Sequence, residues 1–406
     1  MSSKAAWWRD ITGSQWRTLV AALVGWMLDA MDMMLFTFAL NPIRAEFQLT
    51  GSGVGSVAAA ALLTSAAGGI LFGFLADRYG RARALSWSIL IYSFATALTA
   101  TSRSLEELLI WRMLLGIGMG GEWSAGAVLV AETWPAEHRG KAIGIMQSGW
   151  AAGYLLAALL SAAILPSYGW RWLFLLGALP ALLAVWIRRQ VEEPKGWRVS
   201  KKGGGGISLS LVAVRGRILR ASLLTTCVLF AYWGLFTWLP AYLGTARELG
   251  GAGLSIVKTS AWMVPVQIGA LFGYLSFGFL ADRFGRRPVF ITFVLAAAVL
   301  VPVYGWSARW VGVLLVLGPL IGFFGHGYFS VFGAMLAELF PVRIRGTAQG
   351  LSYNVGRAAS ALAPVAIGML ADRFGIGPAL ALTSAFFIAG AGLILCLPET
   401  KAVSLS

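Results

Sequence analysis

Gly73-Phe-Leu-Ala-Asp77-Arg78-Tyr-Gly80-Arg81-Ala-Arg83 closes one apolar run of this chain, and another apolar run follows it at once. A near copy, Gly278-Phe-Leu-Ala-Asp282-Arg283-Phe-Gly285-Arg286-Arg287-Pro288, starts 205 residues later. A second pair keeps step with the first: Glu132-Thr-Trp-Pro135 with Arg139-Gly140, and Glu338-Leu-Phe-Pro341 with Arg345-Gly346, offset by 206. Two separate features that repeat at nearly one offset mean two related halves, the internal symmetry that carriers show. Each copy is a short charged loop between two helices.

Composition points to lipid. Of 406 residues, 58% are hydrophobic and 12% charged, against about 25% charged in ordinary soluble domains. A single soluble core cannot hide that much apolar surface. Cys227 and Cys396 both sit inside apolar runs, so no disulfide framework is indicated. The net charge of +15 is distributed over short loops, which suits a membrane surface and not nucleic acid. The amino end is polar and runs into a full-length apolar span, so it does not read as a cleavable leader.

About 20 mostly apolar residues are needed to cross roughly 30 Å of hydrocarbon, and twelve such spans are predicted. In the first half they cover 17–40, 54–75, 84–101, 105–130, 140–165 and 171–188; in the second, 219–243, 256–281, 288–306, 310–336, 346–371 and 377–397. The domain reading is therefore an all-α membrane protein: a six-helix bundle over 1–188, a linker over 189–218 and a second six-helix bundle over 219–406. With the amino end inside, 23 of the 32 Lys and Arg residues fall on the cytoplasmic side, seven outside and two within the membrane. That bias places both ends in the cytoplasm of a multi-pass plasma (inner) membrane protein. The linker's cations around Gly203–Gly206 suit contact with anionic lipid.

The loop at 73–83 resembles the signature loop of the major facilitator superfamily, and the resemblance extends over essentially the whole chain. It implies two pseudo-symmetric six-helix bundles around one cavity, with alternating access. It further implies that the loop Asp engages a helix end in the opposite half, latching the cytoplasmic side. Asp77, Arg78, Arg81 and Arg83 match that pattern, as do Asp282, Arg283, Arg286 and Arg287. Glu132, Arg139, Glu338 and Arg345 are the accompanying gating candidates. A carboxylate at a helix amino end gains from the dipole and the free N–H groups. A topology signal alone would not call for the acid in both copies.

Buried charge marks the candidate chemistry. Asp29 and Asp32 sit near mid-membrane in the first span, where an ionised Asp costs about 2.5–3.5 kcal/mol on insertion scales. At spacing i, i+3 they share one helix side, and such a pair titrates as a unit. A purely structural role would have one of them pair with an Arg or cap a neighbouring helix. The fourth span carries Arg112, Glu122 and Trp123. Its Gly116, Gly118 and Gly121 match a dinucleotide-binding pattern, but they lie inside an apolar helix with no strand before them, so that match is spurious. Gly116 and Gly120 read instead as a seam for close helix packing. Arg112 with its spaced glycines is similar to the superfamily's fourth-helix motif, which implies a part in proton movement. His326 is a further proton candidate, with a neutral, hydrogen-bonded histidine as the plain alternative.

Candidates for lining the cavity are Trp26, Trp123, Gln147, Trp150, Tyr232, Trp233, Tyr353 and Asn354. Tyr154 shares a face with Gln147 and Trp150, and helix 8 offers Trp262 and Gln267. Core packing is the alternative for the aromatic residues. Arg357 lies about twelve residues into its span, near the midplane, and a permanent cation there needs an anion. Asp372-Arg373-Phe-Gly375 ends that span on the outside. The aromatic stretch Tyr232-Trp-Gly-Leu-Phe236-Thr-Trp238 and the sequence Gly120-Gly-Glu-Trp resemble the metabolite/proton symporter branch, which carries sialate, lactate and related monocarboxylates.

No phosphate-cradling loop, no metalloprotease helix and no nucleophile–base set occurs in the sequence, so no enzyme, cofactor or metal is expected. The expected function is proton-coupled uptake of a small organic anion, by a monomer in the lipid bilayer. Aromatic-acid symport is the alternative, along with proton-exchange efflux. Efflux would call for a Gly-Pro-Gly-Gly-like motif in helix 5, which this chain lacks.

Overall fold

The computed structural model describes residues 11–135, 139–191, 214–340 and 345–400. Among these the chain is helical, and polar side chains start several helices. Thr12 forms a reciprocal cap with Gln15 at the start of α1 (Gly13–Glu46). Thr50 accepts from the Gly53 amide at the start of α2 (Gly51–Tyr79), and Ser104 caps α4 (Leu105–Thr133) through Glu107. In each case an amide that the helix cannot satisfy finds a side-chain oxygen. Between them lies α3 (Arg81–Thr99).

The first half finishes with α5 (Arg139–Leu175) and α6 (Pro180–Gln190). The second half runs α7 (Arg215–Gly244), α8 (Ile256–Phe284), α9 (Arg286–Trp306), α10 (Val311–Gly327), α11 (Phe329–Leu339), α12 (Arg345–Ser360), α13 (Leu362–Phe374), α14 (Ile376–Leu380) and α15 (Leu382–Leu393). Helix α2 packs on α4 and α1 on α5 in the first half; α8 packs on α10 and α7 on α12 in the second. Where the halves meet, α2 lies against α12 and α13, and α5 lies against α8.

Eight stretches of described helix are long and apolar enough to cross a membrane by length and composition, two of them formed by α12 with α13 and by α14 with α15.

Several spans expected to be continuous are broken. The turn between spans five and six is carried by Pro166 and by Gly169, whose φ is +78°. Span six is then interrupted by a 3-10 turn at Leu176–Ala178, ahead of Pro180. Proline has no N–H for the helix ladder, and its ring crowds the preceding turn. Spans ten, eleven and twelve bend at Tyr328, Ala361 and Ala381, where φ and ψ stay in the right-handed region. The bends therefore redirect each span without ending it.

The glycine seam expected in α4 is present. A Cβ on Gly116 would meet the Ala61 carbonyl oxygen at 2.2 Å, and one on Gly120 would meet that of Ser65 at 1.9 Å. Only glycine lets α4 approach α2 this closely. Residues 192–213, most of the expected linker, lie outside the described residues.

Candidate functional site

Asp29 and Asp32 are both 1% exposed and stand on the inner side of α1. Thr96 of α3 donates its hydroxyl to Asp32 Oδ2 at 3.2 Å and to the Tyr92 carbonyl at 2.9 Å. The 3-10 break in span six is part of the same place, since a Cβ on Gly177 would lie 3.2 Å from Asp32 Oδ1. Arg112 is fully buried, with its guanidinium 4.4 Å from the Phe36 ring centroid and Nη2 3.4 Å from the Met33 sulfur. Its Nε and Nη1 have no hydrogen-bond partner among the described residues.

Glu122 is equally buried, and neither carboxyl oxygen has a hydrogen-bond partner among the described residues. It fits a notch in α1, because a Cβ on Gly25 would sit 2.4 Å from Glu122 Oε1. Among charged neighbours, Asp29 is within electrostatic reach of Arg357 and Glu122, and Asp32 within reach of Asp29 and Arg112. None of these groups forms an ion pair within 4.0 Å with another described residue, in contrast to Arg44 with Asp372 and Arg171 with Glu46. The result is a cluster of three acids, Asp29, Asp32 and Glu122, with Arg357 near Asp29 from the second half and Arg112 near Asp32 from the first.

Beside it lies a nearly closed cavity of about 20 Å³, lined by Trp26, Gln147, Trp150, Leu229, Tyr232, Trp233, Tyr274, Phe329, Tyr353 and Arg357. Two aromatic bridges join the halves across it. On one side the Trp150 indole N–H donates to the Tyr232 hydroxyl, and Trp26 packs on Trp150 at 4.7 Å. On the other, Trp123 of α4 stacks on Tyr353 of α12 at 4.2 Å and 17°. Tyr154, on the face of α5 that holds Trp150, donates to the Phe236 carbonyl at 3.0 Å and also closes the interface.

Of the expected lining residues, Trp26, Gln147, Trp150, Tyr232, Trp233, Tyr353 and Arg357 meet at the cavity. Trp123 reaches it only through Tyr353. Asn354 is placed elsewhere: it donates to the Gly350 carbonyl at 3.0 Å and packs on α2, where a Cβ on Gly69 would meet its Oδ1 at 2.6 Å. His326 is enclosed by the rings of Tyr232, Phe236 and Tyr274 at 5.1, 4.0 and 5.9 Å. Trp262 donates to the Val311 carbonyl, and Gln267 is buried without a partner among the described residues.

Among the gating candidates, Arg81 donates to the Ala76 carbonyl at 2.9 Å, while Arg78 is exposed with its guanidinium 5.5 Å from the Tyr79 ring. Arg283 lies 5.2 Å from the Phe284 ring, and the Arg286 amide donates to Glu399 at 2.9 Å. The side chains of Asp77, Glu132, Arg139, Asp282, Glu338 and Arg345 lie outside the described set.

Sequence reasoning missed Tyr92, Thr96, Tyr274 and Phe329. Tyr92 is fully buried within electrostatic reach of Asp29, Asp32 and Glu122. A usable signal was the i, i+4 spacing of Tyr92 and Thr96, which puts both polar groups on one face of α3.

Comparison with known proteins agrees with this geometry. The chain is 32% identical to a cis,cis-muconate transport protein of Acinetobacter baylyi, over 91% of each chain. It is 30% identical to the sialic acid transporter NanX of Escherichia coli, covering 95% of this chain and 94% of that protein. Its fold matches the xylose transporter XylE of E. coli with a TM-score of 0.79 at 21% identity, over 97% of this chain and 100% of that one. The family model described as Major Facilitator Superfamily matches residues 22–276 and 259–404. This protein is thus a transporter and not an enzyme, and it belongs to the major facilitator superfamily.

Proposed function

We propose that this transporter takes up a small organic anion together with a proton, by rocking its two halves about the central cavity. One observation carries the reading. Arg357, 2% exposed, stands in the wall of the aromatic cavity with its Nε unpaired among the described residues. A guanidinium is charged at any working pH, and in a dry site it needs an anion. Its protein counter-charge, Asp29, is within electrostatic reach but not in contact. A substrate carboxylate can take that place through two parallel hydrogen bonds.

The acids Asp29, Asp32 and Glu122 are the proton acceptors in this reading, with Arg112 tuning Asp32. His326 is left as a relay between rings. When a proton neutralises Asp29, Arg357 loses its competing partner and the cavity becomes attractive to an anion. Proton and substrate then bind in support of each other. A monoanion moving with one proton carries no net charge, so uptake follows the pH gradient and responds little to membrane voltage.

Muconate and sialate, named in the two relatives, are both carboxylates. The expected monocarboxylates were lactate-like acids, sialate and other sugar acids, with aromatic acids as the alternative. Seven of the ten cavity residues are aromatic, and besides Arg357 and Gln147 the polar groups are the hydroxyls of Tyr232, Tyr274 and Tyr353 and the indole N–H groups of Trp26, Trp150 and Trp233. A flat aromatic or conjugated acid can lie against Trp26, Trp150 and Tyr353, so the lining favours the alternative. The protein works as a monomer in the inner membrane with both ends cytoplasmic, and Arg78, Arg81, Arg283 and Arg286 with the loop acids close its cytoplasmic side.

The test is uptake into proteoliposomes of benzoate-like, muconate-like, lactate and sialate substrates, with and without an imposed pH gradient. Arg357→Lys keeps the charge but loses the fork, and is expected to weaken the apparent affinity for the transported acid about tenfold or more. Unchanged affinity in that variant, or transport of cationic or neutral solutes alone, defeats the assignment.

A further inference from the structure

Asp372 lies at the end of α13, on the membrane face opposite the two signature loops. Its surroundings repeat the signature: Gly368-Met-Leu-Ala-Asp372-Arg373-Phe-Gly375 follows the same pattern as 73–80 and 278–285. The backbone repeats as well. Gly80, Gly285 and Gly375 have φ of +118°, +103° and +84°, and each is followed directly by a new helix. The turn demands glycine at that place in all three copies.

We infer that Asp372 is a gating residue of the transport cycle, the latch of the face opposite the signature loops. Its carboxylate reaches the other half of the molecule and meets the start of α2. Oδ1 accepts from the Gly51 amide at 3.3 Å and Oδ2 from the Ser52 amide at 3.4 Å. Arg44, at the end of α1, adds an ion pair to Oδ1 at 3.5 Å. The accounting of α2's free amides makes this contact specific. Thr50 takes the Gly53 amide and its carbonyl takes that of Val54, which leaves Gly51 and Ser52 for a partner from outside the helix. Asp372 supplies that partner and sits at the positive end of the helix dipole.

The seam beneath the latch lets it close. A Cβ on Gly368 would meet the Gly51 carbonyl oxygen at 2.6 Å, and one on Gly55 would meet that of Pro364 at 2.7 Å. The halves thus touch backbone to backbone just below the carboxylate. Rocking the halves apart on this face breaks all three contacts at once and leaves two amides and a carboxylate to water. Asp372 therefore favours states closed on this face and open on the signature-loop face. It lies at the far end of α2 from Asp77, so one helix offers a latch point at each end.

The experiment measures spin-label distances in the purified protein, without substrate. One label pair sits at Thr101 and Glu248, exposed on the Asp372 face in opposite halves; the other sits at Tyr79 and Phe284, exposed on the signature-loop face. In Asp372→Asn the long-distance population at 101/248 is expected to rise about fivefold, with the 79/284 pair shifting toward shorter distances. Arg44→Gln gives a smaller shift in the same direction, and Asp372→Glu restores much of the parent distribution. A packing role alone would loosen 101/248 without shortening 79/284. That outcome, or unchanged distances in Asp372→Asn, overturns the inference.

Discussion

The two halves of this transporter bury different chemistry against the same cavity. In the first half, α1 and α4 hold three carboxyl groups and Arg112, with Tyr92 and Thr96 of α3 beside them. In the second, α7, α8, α11 and α12 present rings and one guanidinium, and α10 adds a histidine enclosed by aromatic groups. A proton needs groups that can be neutralised in a dry site, and carboxylates crowded by one another answer that need. An anion needs a cation that cannot be neutralised, which Arg357 provides. The repeat made the halves alike in fold, and their side chains make them unlike in task. In the proposed cycle, coupling arises where the halves meet, at Asp29 and Arg357 in opposite halves.

The comparison can be broken first at its acidic side. Neutralising both Asp29 and Asp32 to Asn is expected to abolish pH-driven accumulation in proteoliposomes, while counterflow exchange of labelled substrate survives in part. Full accumulation in the double variant would move the proton to Glu122 or His326.

A finer test acts on the notch that seats Glu122. Gly25→Ala places a methyl group 2.4 Å from Glu122 Oε1, so the carboxyl group or the helix must shift. Such overpacking costs about 1–3 kcal/mol. We expect accumulation to fall several-fold and its pH optimum to move, with the affinity for substrate at Arg357 little changed. An equal loss of affinity would mean that the two regions are not separable.

The smallest effect lies outside the membrane, where Arg171 holds Glu46 through hydrogen bonds at 2.8 and 2.7 Å. That contact, with a further bond from Trp170, keeps the Glu46 carboxyl below its ordinary value of 4.5. A carboxyl lowered in the fold stabilises above its unfolded value and loses that contribution as pH falls through the folded one. The pair is partly exposed, so Arg171→Gln is expected to cost about 0.5 kcal/mol near neutral pH. Thermal melts of parent and variant should converge as the pH drops below the carboxyl range. A gap that persists there would assign the effect to Arg171's bond with the Ser102 carbonyl.

Much of this was legible without coordinates. Apolar runs of sufficient length announce helices in lipid, since a spanning segment must satisfy its own backbone. The paired loops at 73–83 and 278–288 announced two halves, and Asp29, Asp32, Arg112, Glu122 and Arg357 stood out because charge inside an apolar run is costly. These are local properties, readable along one stretch of chain.

What the fold alone decided is which of those residues meet. Asn354 shares a helix face with Arg357, yet it packs on Gly69 of the other half, because α2 has no side chain there to keep it away. Trp123 and Tyr353, 230 positions apart in the chain, stack across the same boundary. Asp372 ends its own helix in the sequence and caps a different one in space. Hydropathy and spacing set each helix and its polar face. The partner of that face depends on how closely two backbones can approach, and that distance belongs to the packed bundle and to no single segment.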